Sequence, residues 1–195
     1  MNVNEDDDPL IIELYAQQFN WKARYGGADN TLGKANVRLI DIDRANILGV
    51  DESDPNAQDD VIATELHLPV GRTVLFKMRS QDVLHSAYMP HFRAQMNTVP
   101  GLTTRFKFVP NKTTVEMRDA KNDKNFNYVL MCNKICGGAH YKMKMMVVVL
   151  EEKDYKTWMK SKSNSTFKDS YFPKAVEAVE TVDANVLADT LAVAI

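Results

Sequence analysis

Short runs in which hydrophobic and polar residues alternate recur along much of this chain. In residues 73–79, Val74, Phe76 and Met78 share one face, and residues 102–109 place Phe106 and Phe108 together. Alternation over four to eight residues is typical of a half-buried strand. Further strands are predicted at residues 10–25, 61–68, 113–117, 125–132 and 144–150, the last an apolar run that suits a strand covered on both faces. Strands of this length and spacing predict an antiparallel β-sandwich or barrel.

The remaining segments set the domain boundaries. Residues 1–9 are acidic and are interpreted as a linker stub, residues 26–60 as an irregular acidic surface excursion, and residues 151–160 as a short amphipathic helix. One domain is therefore expected at residues 10–160. Residues 161–195 are expected to be a linker followed by a possible amphipathic helix at residues 174–194, where Val176, Val179, Val182, Val186 and Leu187 have near-helical spacing.

Charge is unevenly distributed along the 195 residues. The net charge is −2, but residues 1–65 carry −9 and residues 66–195 carry +7. This polarity argues against general nucleic-acid binding and permits a basic partner on one face. No run approaches 18 uncharged apolar residues, and the first eight residues lack the features of a signal peptide. The protein is therefore cytosolic, or targeting and membrane segments lie outside this chain.

The densest chemistry lies in residues 132–143, with the sequence CNKICGGAHYKM. Cys132, Cys136, His140 and Met143 supply two thiols, an imidazole and a thioether, and both cysteines of the chain are among them. These donors suit copper better than magnesium or calcium. A disulfide across so short a loop would stabilise little, and zinc sites rarely use methionine. Two glycines after the second cysteine free the backbone to wrap around an ion.

Two thiolates exceed what a single blue-copper centre needs, which is one thiolate, two histidines and a weak methionine. If both thiolates bridge a pair of copper ions, a second imidazole must come from elsewhere in the chain. The candidates are His67 within a predicted strand, His85 at a strand end, and His91 in an exposed loop. Position alone favours His85, with the other two remaining as alternatives.

These motifs together resemble one protein family. The run QDVLHS at residues 81–86, the Pro-Gly pair at 100–101 and the run at 132–143 follow the pattern DVxHS…PG…CxExCGxxHxxM. This pattern is similar to that of subunit II of the haem–copper cytochrome c oxidases, in the domain that carries the dinuclear CuA centre. The resemblance spans about residues 10–160 and implies an all-β, cupredoxin-like Greek-key sandwich or barrel with a short C-terminal helix and a tail.

By position, the resemblance implies the following ligands for two copper ions. Cys132 and Cys136 would bridge the pair, and His85 and His140 would each bind one ion. Met143 and the backbone carbonyl of Lys134 would be the two weak ligands. Asp82 and Ser86 flank His85 and are expected to orient its ring or its surroundings.

Two positions depart from the family pattern. Lys134 stands where the family has a glutamate, which leaves the carbonyl ligand intact but removes a carboxylate that relatives use for a magnesium ion shared with the catalytic subunit. The aromatic patch that accepts electrons, QWYW in the family, is QFNW at residues 18–21, so that Phe19 and Trp21 take the places of the two tryptophans. Core packing of both rings is an equally good explanation.

The implied function is that of the subunit of a terminal respiratory oxidase that receives electrons. The copper pair would accept single electrons from cytochrome c, or from a cytochrome c domain, and relay them to haem in the catalytic subunit I. Oxygen reduction would take place in that partner, and none of the residues of this chain is expected to be catalytic. Other oxidase subunits are expected partners and nucleic acid is not. The resemblance places the domain on the outer face of the membrane, the periplasmic side in a bacterium, with its membrane helices absent from this chain.

Three rival functions fit parts of the pattern. They are a CuA-type domain of another respiratory reductase, a copper-binding or delivery module, and a thiol oxidoreductase that uses the two cysteines without metal. The acidic run at residues 41–60 would steer a basic cytochrome if it lies near the site, and it is otherwise an ordinary solvated loop. A rate that is independent of ionic strength would exclude steering.

Overall fold

The computed structural model describes residues 8–162 and 165–168. The secondary structure is mostly β. The strands are β1 Leu10–Gln17, β2 Asn20–Tyr25, β3 Val61–Ala63, β4 Leu66–Pro69, β5 Val74–Ser80, β6 His85–Met89, β7 Ala94–Thr98, β8 Thr104–Phe108, β9 Tyr128–Cys132 and β10 Lys144–Leu150; the helices are α1 Thr114–Lys121 and α2 Glu152–Ser161.

Two five-stranded sheets form the fold. The strand order is β3-β2-β1-β5-β8 in the first sheet and β4-β10-β9-β6-β7 in the second. The β1–β5 and β4–β10 pairs are parallel and the other named pairs are antiparallel. Alternate residues of both sheets, including Ile12, Phe76, Leu130 and Val147, are fully buried and form one core. This arrangement is the expected sandwich, because each sheet buries one apolar face against the other. The two parallel pairs depart from the antiparallel pairing that the sequence predicted.

The acidic excursion at residues 26–60 covers the outer face of the first sheet. It contains two short 3-10 turns and isolated bridges but no strand, as the sequence predicted. Leu48 and Val50 from the excursion pack with Tyr15 on the outer face of β1 and with Phe167. The middle of β1 is therefore buried on both faces, and this burial also encloses charged side chains.

One of those charged side chains, Arg24, binds two carboxylates beneath the excursion. Its Nε lies 2.6 Å from Glu13 Oε2, and its Nη1 lies 2.9 Å from Asp60 Oδ2. Nη2 of the same guanidinium donates to the carbonyl of Gly33 at 3.1 Å. Arg79 pairs with the other oxygen of Glu13 and donates to the carbonyl of Leu48 at 2.9 Å. These bonds fasten an irregular segment to the sheet.

Two predicted strands are each divided in the structure. Residues 10–25 form the β1–β2 hairpin, with a turn at residues 18–19, rather than one strand. Residues 61–68 contain β3, which pairs with β2, and β4, which pairs with β10 in the other sheet. The chain changes sheets at the exposed residues Thr64 and Glu65. Alternation in sequence does not show which partner a strand has, and that is why these predictions were wrong.

The predicted strand at residues 113–117 is instead the start of helix α1. Thr113 Oγ1 accepts a hydrogen bond from the Glu116 N–H at 3.1 Å, and Glu116 Oε2 accepts one from the Thr113 N–H at 2.7 Å. This reciprocal pair is a capping box, which satisfies free donors of the first helical turn. Five residues are too few to separate strand from helix periodicity, so the Thr-x-x-Glu signal was the better guide.

Strand β10 is covered on both faces only in its second half, in part contrary to the expectation for residues 144–150. Met145, Val147 and Val149 are buried on one face; on the other, Lys144 and Met146 are exposed and Val148 and Leu150 are half-buried. Strands β6 and β7 were not predicted. The helix expected at residues 151–160 is confirmed as α2.

The described end of the chain returns to the first sheet, where Thr166 forms an isolated bridge with Val61. The expected tail helix at residues 174–194, and most of the stub at residues 1–9, lie outside the described residues. Within the part that the structure describes, neither helix is both long and apolar enough to cross a bilayer.

Candidate metal centre

The predicted copper ligands converge because three strand ends of the second sheet meet at one end of the sandwich. His85 is the first residue of β6, and Cys132 is the last of β9. In the register of these antiparallel strands Ala87 lies opposite Cys132, so His85 extends two residues towards the loop that follows β9. That loop, residues 133–143, returns into β10 with Lys144 opposite Met131.

Five donor side chains lie close together at this end. The ligand atoms of His85, Cys132 and Cys136 all fall within 4.8 Å of one another. The two Sγ atoms are 3.9 Å apart, and His85 Nδ1 lies 3.8 Å from Cys132 Sγ. Cys136 Sγ in turn lies 3.4 Å from His140 Nδ1 and 3.8 Å from Met143 Sδ. One imidazole therefore faces each sulfur, and the thioether lies on the side of Cys136.

Asp82 orients the ring of His85. Its Oδ1 lies 2.8 Å from His85 Nε2, which leaves Nδ1 directed at the sulfur of Cys132. Oδ2 of Asp82 accepts a hydrogen bond from the Gln18 N–H at 2.7 Å. Although partial burial raises the pKa of Asp82, the bonds from Gln18, His85 and Val83 lower it below its ordinary value. A carboxylate on the far nitrogen is the usual second contact of a metal-binding histidine, and it fixes the tautomer.

Backbone hydrogen bonds hold the ligand loop. The Asn133 N–H donates to the Ser86 carbonyl at 3.0 Å, and the Cys132 N–H donates to the Met143 carbonyl at 3.0 Å. The hydroxyl of Ser86 accepts from Gln95 Nε2 at 3.2 Å across the β6–β7 pair. The backbone of Ser86 therefore fixes the loop beside His85, while its side chain contacts β7.

Lys134 brings its backbone carbonyl to the donor cluster although it is an exposed residue. The carbonyl oxygen lies 3.2 Å from Cys132 Sγ, close to the donor cluster, whereas the residue as a whole is exposed. The carbonyl is therefore available as a weak ligand whichever side chain occupies this position.

The two aromatic residues of the QFNW run have different environments. Trp21 is buried, and its ring meets the edge of the His85 ring at a centroid distance of 6.1 Å. Phe19 is partly exposed, and its ring lies over Gly137 in the ligand loop. Trp21 is thus part of the core beside a candidate ligand, and Phe19 is the ring of this pair that contacts the loop near solvent.

The alternative histidines lie away from the cluster. His67 stacks on Trp158 of α2 with the ring centroids 4.3 Å apart. His91 is exposed and packs edge-on against Phe126 and Tyr128. The structure therefore brings only His85 of the three candidates to the cysteines.

The donor set and its spacing fit copper. Both cysteines are free thiols, and their 3.9 Å separation is far longer than the ~2.05 Å of a disulfide bond. Metal–thiolate bonds of ~2.3 Å allow one ion to contact both sulfurs at that separation. Burial, together with the neighbouring Cys132, raises the pKa of the Cys136 thiol to about 11. A metal must therefore displace a firmly held proton, and copper thiolates are stable enough to do so.

The sequence pattern did not indicate a role for Gln18 at this site. Besides its N–H bond to Asp82, its side-chain Nε2 donates to the carbonyl of Cys136. Gln18 lies in the β1–β2 turn of the first sheet, so it joins the two sheets at the cluster. Gln18 is the first residue of the QFNW run, and only that position could have indicated this role, because its contact with Cys136 spans 118 residues.

Gly137 is a position where a side chain should be poorly tolerated. Its φ is +140°, and an added Cβ would lie 2.9 Å from Gln18 Nε2 and from two ring carbons of Phe19. We expect Gly137→Ala to lower the free energy of unfolding of the metal-free protein by about 1–3 kcal/mol. Urea denaturation would measure this change.

Gly138→Ala is the matched control. Nothing lies within 4 Å of a Cβ at Gly138, and its φ is not in the left-handed region. The control should change the free energy of unfolding by less than about 0.5 kcal/mol. Equal effects of the two substitutions would contradict the proposed constraint at Gly137.

Known proteins share this sequence pattern. Residues 11–151 match the family described as cytochrome c oxidase subunit II, periplasmic domain. The alternative cytochrome c oxidase subunit 2 of Bradyrhizobium diazoefficiens is 38% identical over 154 residues, which are 78% of this chain and 50% of the relative. The chain spans half or less of the length of three curated relatives that it matches.

Solved structures share the fold. The periplasmic domain of subunit II of cytochrome oxidase of Bradyrhizobium japonicum has a TM-score of 0.54 at 21% identity, with 80% of this chain and 95% of that chain covered. Subunit II of cytochrome c oxidase in a mixed disulfide intermediate with a thioredoxin-like protein has a TM-score of 0.52 at 20% identity, with 85% and 97% covered. The cupredoxin-like fold expected from the sequence is confirmed by this likeness and by the two sheets described above. Because the family match covers most of the sandwich and the ligand loop, this chain belongs to the family of cytochrome c oxidase subunit II periplasmic domains.

Proposed function

We propose that this domain holds two copper ions and relays single electrons from a cytochrome c, or a cytochrome c domain, to the haem of a catalytic oxidase subunit. The observation that carries the proposal is the pair of sulfurs 3.9 Å apart with one imidazole facing each of them. A copper pair bridged by two thiolates would supply a one-electron carrier whose bonds change little when its charge changes. Oxygen reduction would belong to the catalytic subunit, and the domain would work on the outer, periplasmic face of the membrane.

The chain's own residues would give this carrier a fixed shape. Cys132 and Cys136 would bridge the ions, His85 and His140 would each bind one, and Met143 and the Lys134 carbonyl would bind weakly. Asp82 would hold the tautomer of His85 through Nε2, since it already lies 2.8 Å from that nitrogen. Gln18, which is bonded to both Asp82 and the Cys136 carbonyl, would keep the first sheet and the ligand loop in one arrangement. Rigid support of this kind limits ligand movement during electron transfer.

The side chain at position 134 separates this chain from relatives with a glutamate there. An ammonium group has no lone pair to offer a magnesium ion, so Lys134 would leave any magnesium between subunits without a side-chain ligand from this position. The carbonyl of the same residue keeps its place near Cys132 Sγ.

Copper content and spectrum test the proposal directly. After reconstitution of the full chain with copper, elemental analysis should give two coppers per chain, and the electron paramagnetic resonance signal should show one electron shared between two copper nuclei. His85→Ala should lose this shared signal, because one ion loses its imidazole.

The matched control is His91→Ala, which removes an exposed ring outside the cluster and should leave copper content and signal unchanged. One zinc or one blue copper per chain would contradict the proposal. A thiol oxidoreductase, the rival function, would instead keep its activity after dialysis against a chelator.

A further inference from the structure

Four large apolar side chains are exposed beside the candidate centre. Ile135 and Tyr141 are 86% and 76% exposed, and Val83 and Leu84 are 38% and 45% exposed. We call these four residues the apolar rim. Each of them lies within two residues of His85, Cys136 or His140 along the chain. Large apolar side chains grouped on a surface commonly mark a site where another protein docks.

The cluster reaches the surface at His140 and Cys132, which are both partly exposed, whereas His85 is fully buried. The rim residue Tyr141 follows His140 directly. Because electron transfer weakens steeply with distance, a donor that covers Tyr141 and the edge of His140 has a short route to the sulfurs. The apolar rim is therefore the docking surface that the geometry favours.

The exposed charged side chains of the ligand loop are all basic. Residues 83–115 and 124–150, which supply β6, β7, β9, the ligand loop and β10, contain no aspartate or glutamate. Within the ligand loop and at its end, Lys134, Lys142 and Lys144 are all exposed. The ammonium group of Lys142 lies 5.6 Å from the centre of the Tyr141 ring. Asp82, the carboxylate that precedes the rim residue Val83, is bonded to His85, Gln18 and Val83.

Most acidic residues of the described chain belong to other elements. The excursion packs on the outer face of the first sheet through Leu48 and Val50, and Glu116, Asp119 and Asp123 belong to α1 and its C-terminal turn. Helix α2, with Glu152 and Asp154, follows the end of β10 that is opposite Lys144. Seven strand residues at ~3.3 Å each separate that end from the ligand loop.

We propose that the apolar rim and its three lysines form the docking site for an electron-donor protein whose own docking face carries carboxylates around an exposed haem edge. This inference rests on the proposed relay function and specifies its partner. It is opposite in sign to steering of a basic cytochrome by residues 41–60, because the exposed charges of the ligand loop and its end, Lys134, Lys142 and Lys144, are positive. The step would move one electron from a ferrous haem of the donor, which becomes ferric, to the copper centre that Cys132, Cys136, His85 and His140 would hold, and no bond or proton would be transferred.

The preference of the docking site for an acidic donor can be measured with one donor protein in two charge states. A basic mitochondrial-type cytochrome c and the same cytochrome c after succinylation of its lysines would each be reduced and mixed with the copper-loaded full chain in a stopped-flow instrument. The succinylated form should react about tenfold faster or more at low ionic strength, and its advantage should shrink as salt is added.

Reversing the charge of rim lysines tests whether the difference in electron-transfer rate arises at the proposed docking site. Lys142→Glu with Lys144→Glu should slow the succinylated donor about tenfold and accelerate the basic donor. The control, Lys153→Glu with Lys160→Glu on α2, makes the same change in net charge at exposed positions remote from the rim and should leave both rates within a factor of two. A faster reaction with the basic donor, or equal loss in both double variants, would overturn the proposal.

A second readout does not depend on copper. Carbodiimide cross-linking of the metal-free chain to succinylated cytochrome c should join its carboxylates to Lys134, Lys142 or Lys144, as mapped by mass spectrometry. Cross-links confined to α2, or cross-links of the basic cytochrome c to acidic residues 41–60, would reject the assigned surface. If instead no copper pair forms, or a small neutral reductant cannot reduce it, the relay function fails while the cross-linking result still reports on the surface.

Discussion

Replacing Cys136 with serine should abolish the two-copper centre and weaken copper binding by more than about 100-fold. Cys136 is the hub of the cluster, since its sulfur lies within 3.9 Å of the Cys132, His140 and Met143 donor atoms. Serine occupies nearly the same volume, but its hydroxyl is a hard donor that does not ionise at neutral pH, so it cannot bridge two copper ions. Copper analysis, competition with a chelator and the electronic spectrum would measure the loss.

Met143→Leu is the control for this experiment. Met143 is as buried as Cys136, and a leucine of similar volume should cost less than about 1.5 kcal/mol of stability. Because a thioether is a weak copper ligand, this variant should keep two coppers and change the spectrum only modestly. Circular dichroism of both metal-free variants would confirm that they fold. Retention of two coppers and an unchanged spectrum in Cys136→Ser would contradict the bridging role of Cys136.

Replacing Arg24 with leucine should lower the free energy of unfolding by about 3–5 kcal/mol, the typical cost of breaking a buried ion pair. The side chains of Arg24, Glu13 and Asp60 are each 4% exposed or less. Removal of the guanidinium leaves Asp60 buried without its counter-charge, although Arg79 still pairs with Glu13. It also removes the bond to Gly33, so the acidic excursion should loosen from the first sheet.

The loss caused by Arg24→Leu should increase with pH. Burial already raises the pKa of Asp60 to about 7 against the opposing influence of Arg24, so the variant should raise this pKa further. A carboxyl whose pKa is higher in the folded than in the unfolded state destabilises the fold as the pH rises through that range. Urea denaturation at pH 5 and pH 8 should therefore show the larger difference between variant and parent at pH 8.

Arg44→Leu provides the matched control for this stability experiment. Arg44 pairs with Glu52 at 3.0 Å, but its side chain is 56% exposed, and such pairs contribute less than about 1 kcal/mol. A similar loss of stability in both variants would show that burial is not the cause. An unchanged pH dependence in Arg24→Leu would show that Asp60 stays neutral in the parent protein.

The candidate site was predictable to an unusual extent because most of its donors lie in one loop. Cys132, Cys136, His140 and Met143 span twelve residues, and the structure brings their donor atoms together as the sequence pattern indicated. Position alone left His85 as one of three histidines, and the register of β6 with β9 shows why it reaches the cysteines. Gln18 could not be assigned in the same way, because its contacts join segments far apart in the chain.

The sequence by itself determined the β-rich character of this chain, the final helix and the chemistry of the donor loop. These properties depend on residue type and short-range spacing, which a linear pattern records. The tertiary structure alone decided that residues 10–25 turn back as a hairpin, that residues 61–68 divide between two sheets, and that the acidic excursion buries the Arg24 ion pairs. It also decided that His85 meets the two cysteines, since strand pairing in the second sheet selects which segments meet there. Pairing of that kind depends on contacts between residues distant in sequence, and local alternation of apolar and polar positions carries no information about them.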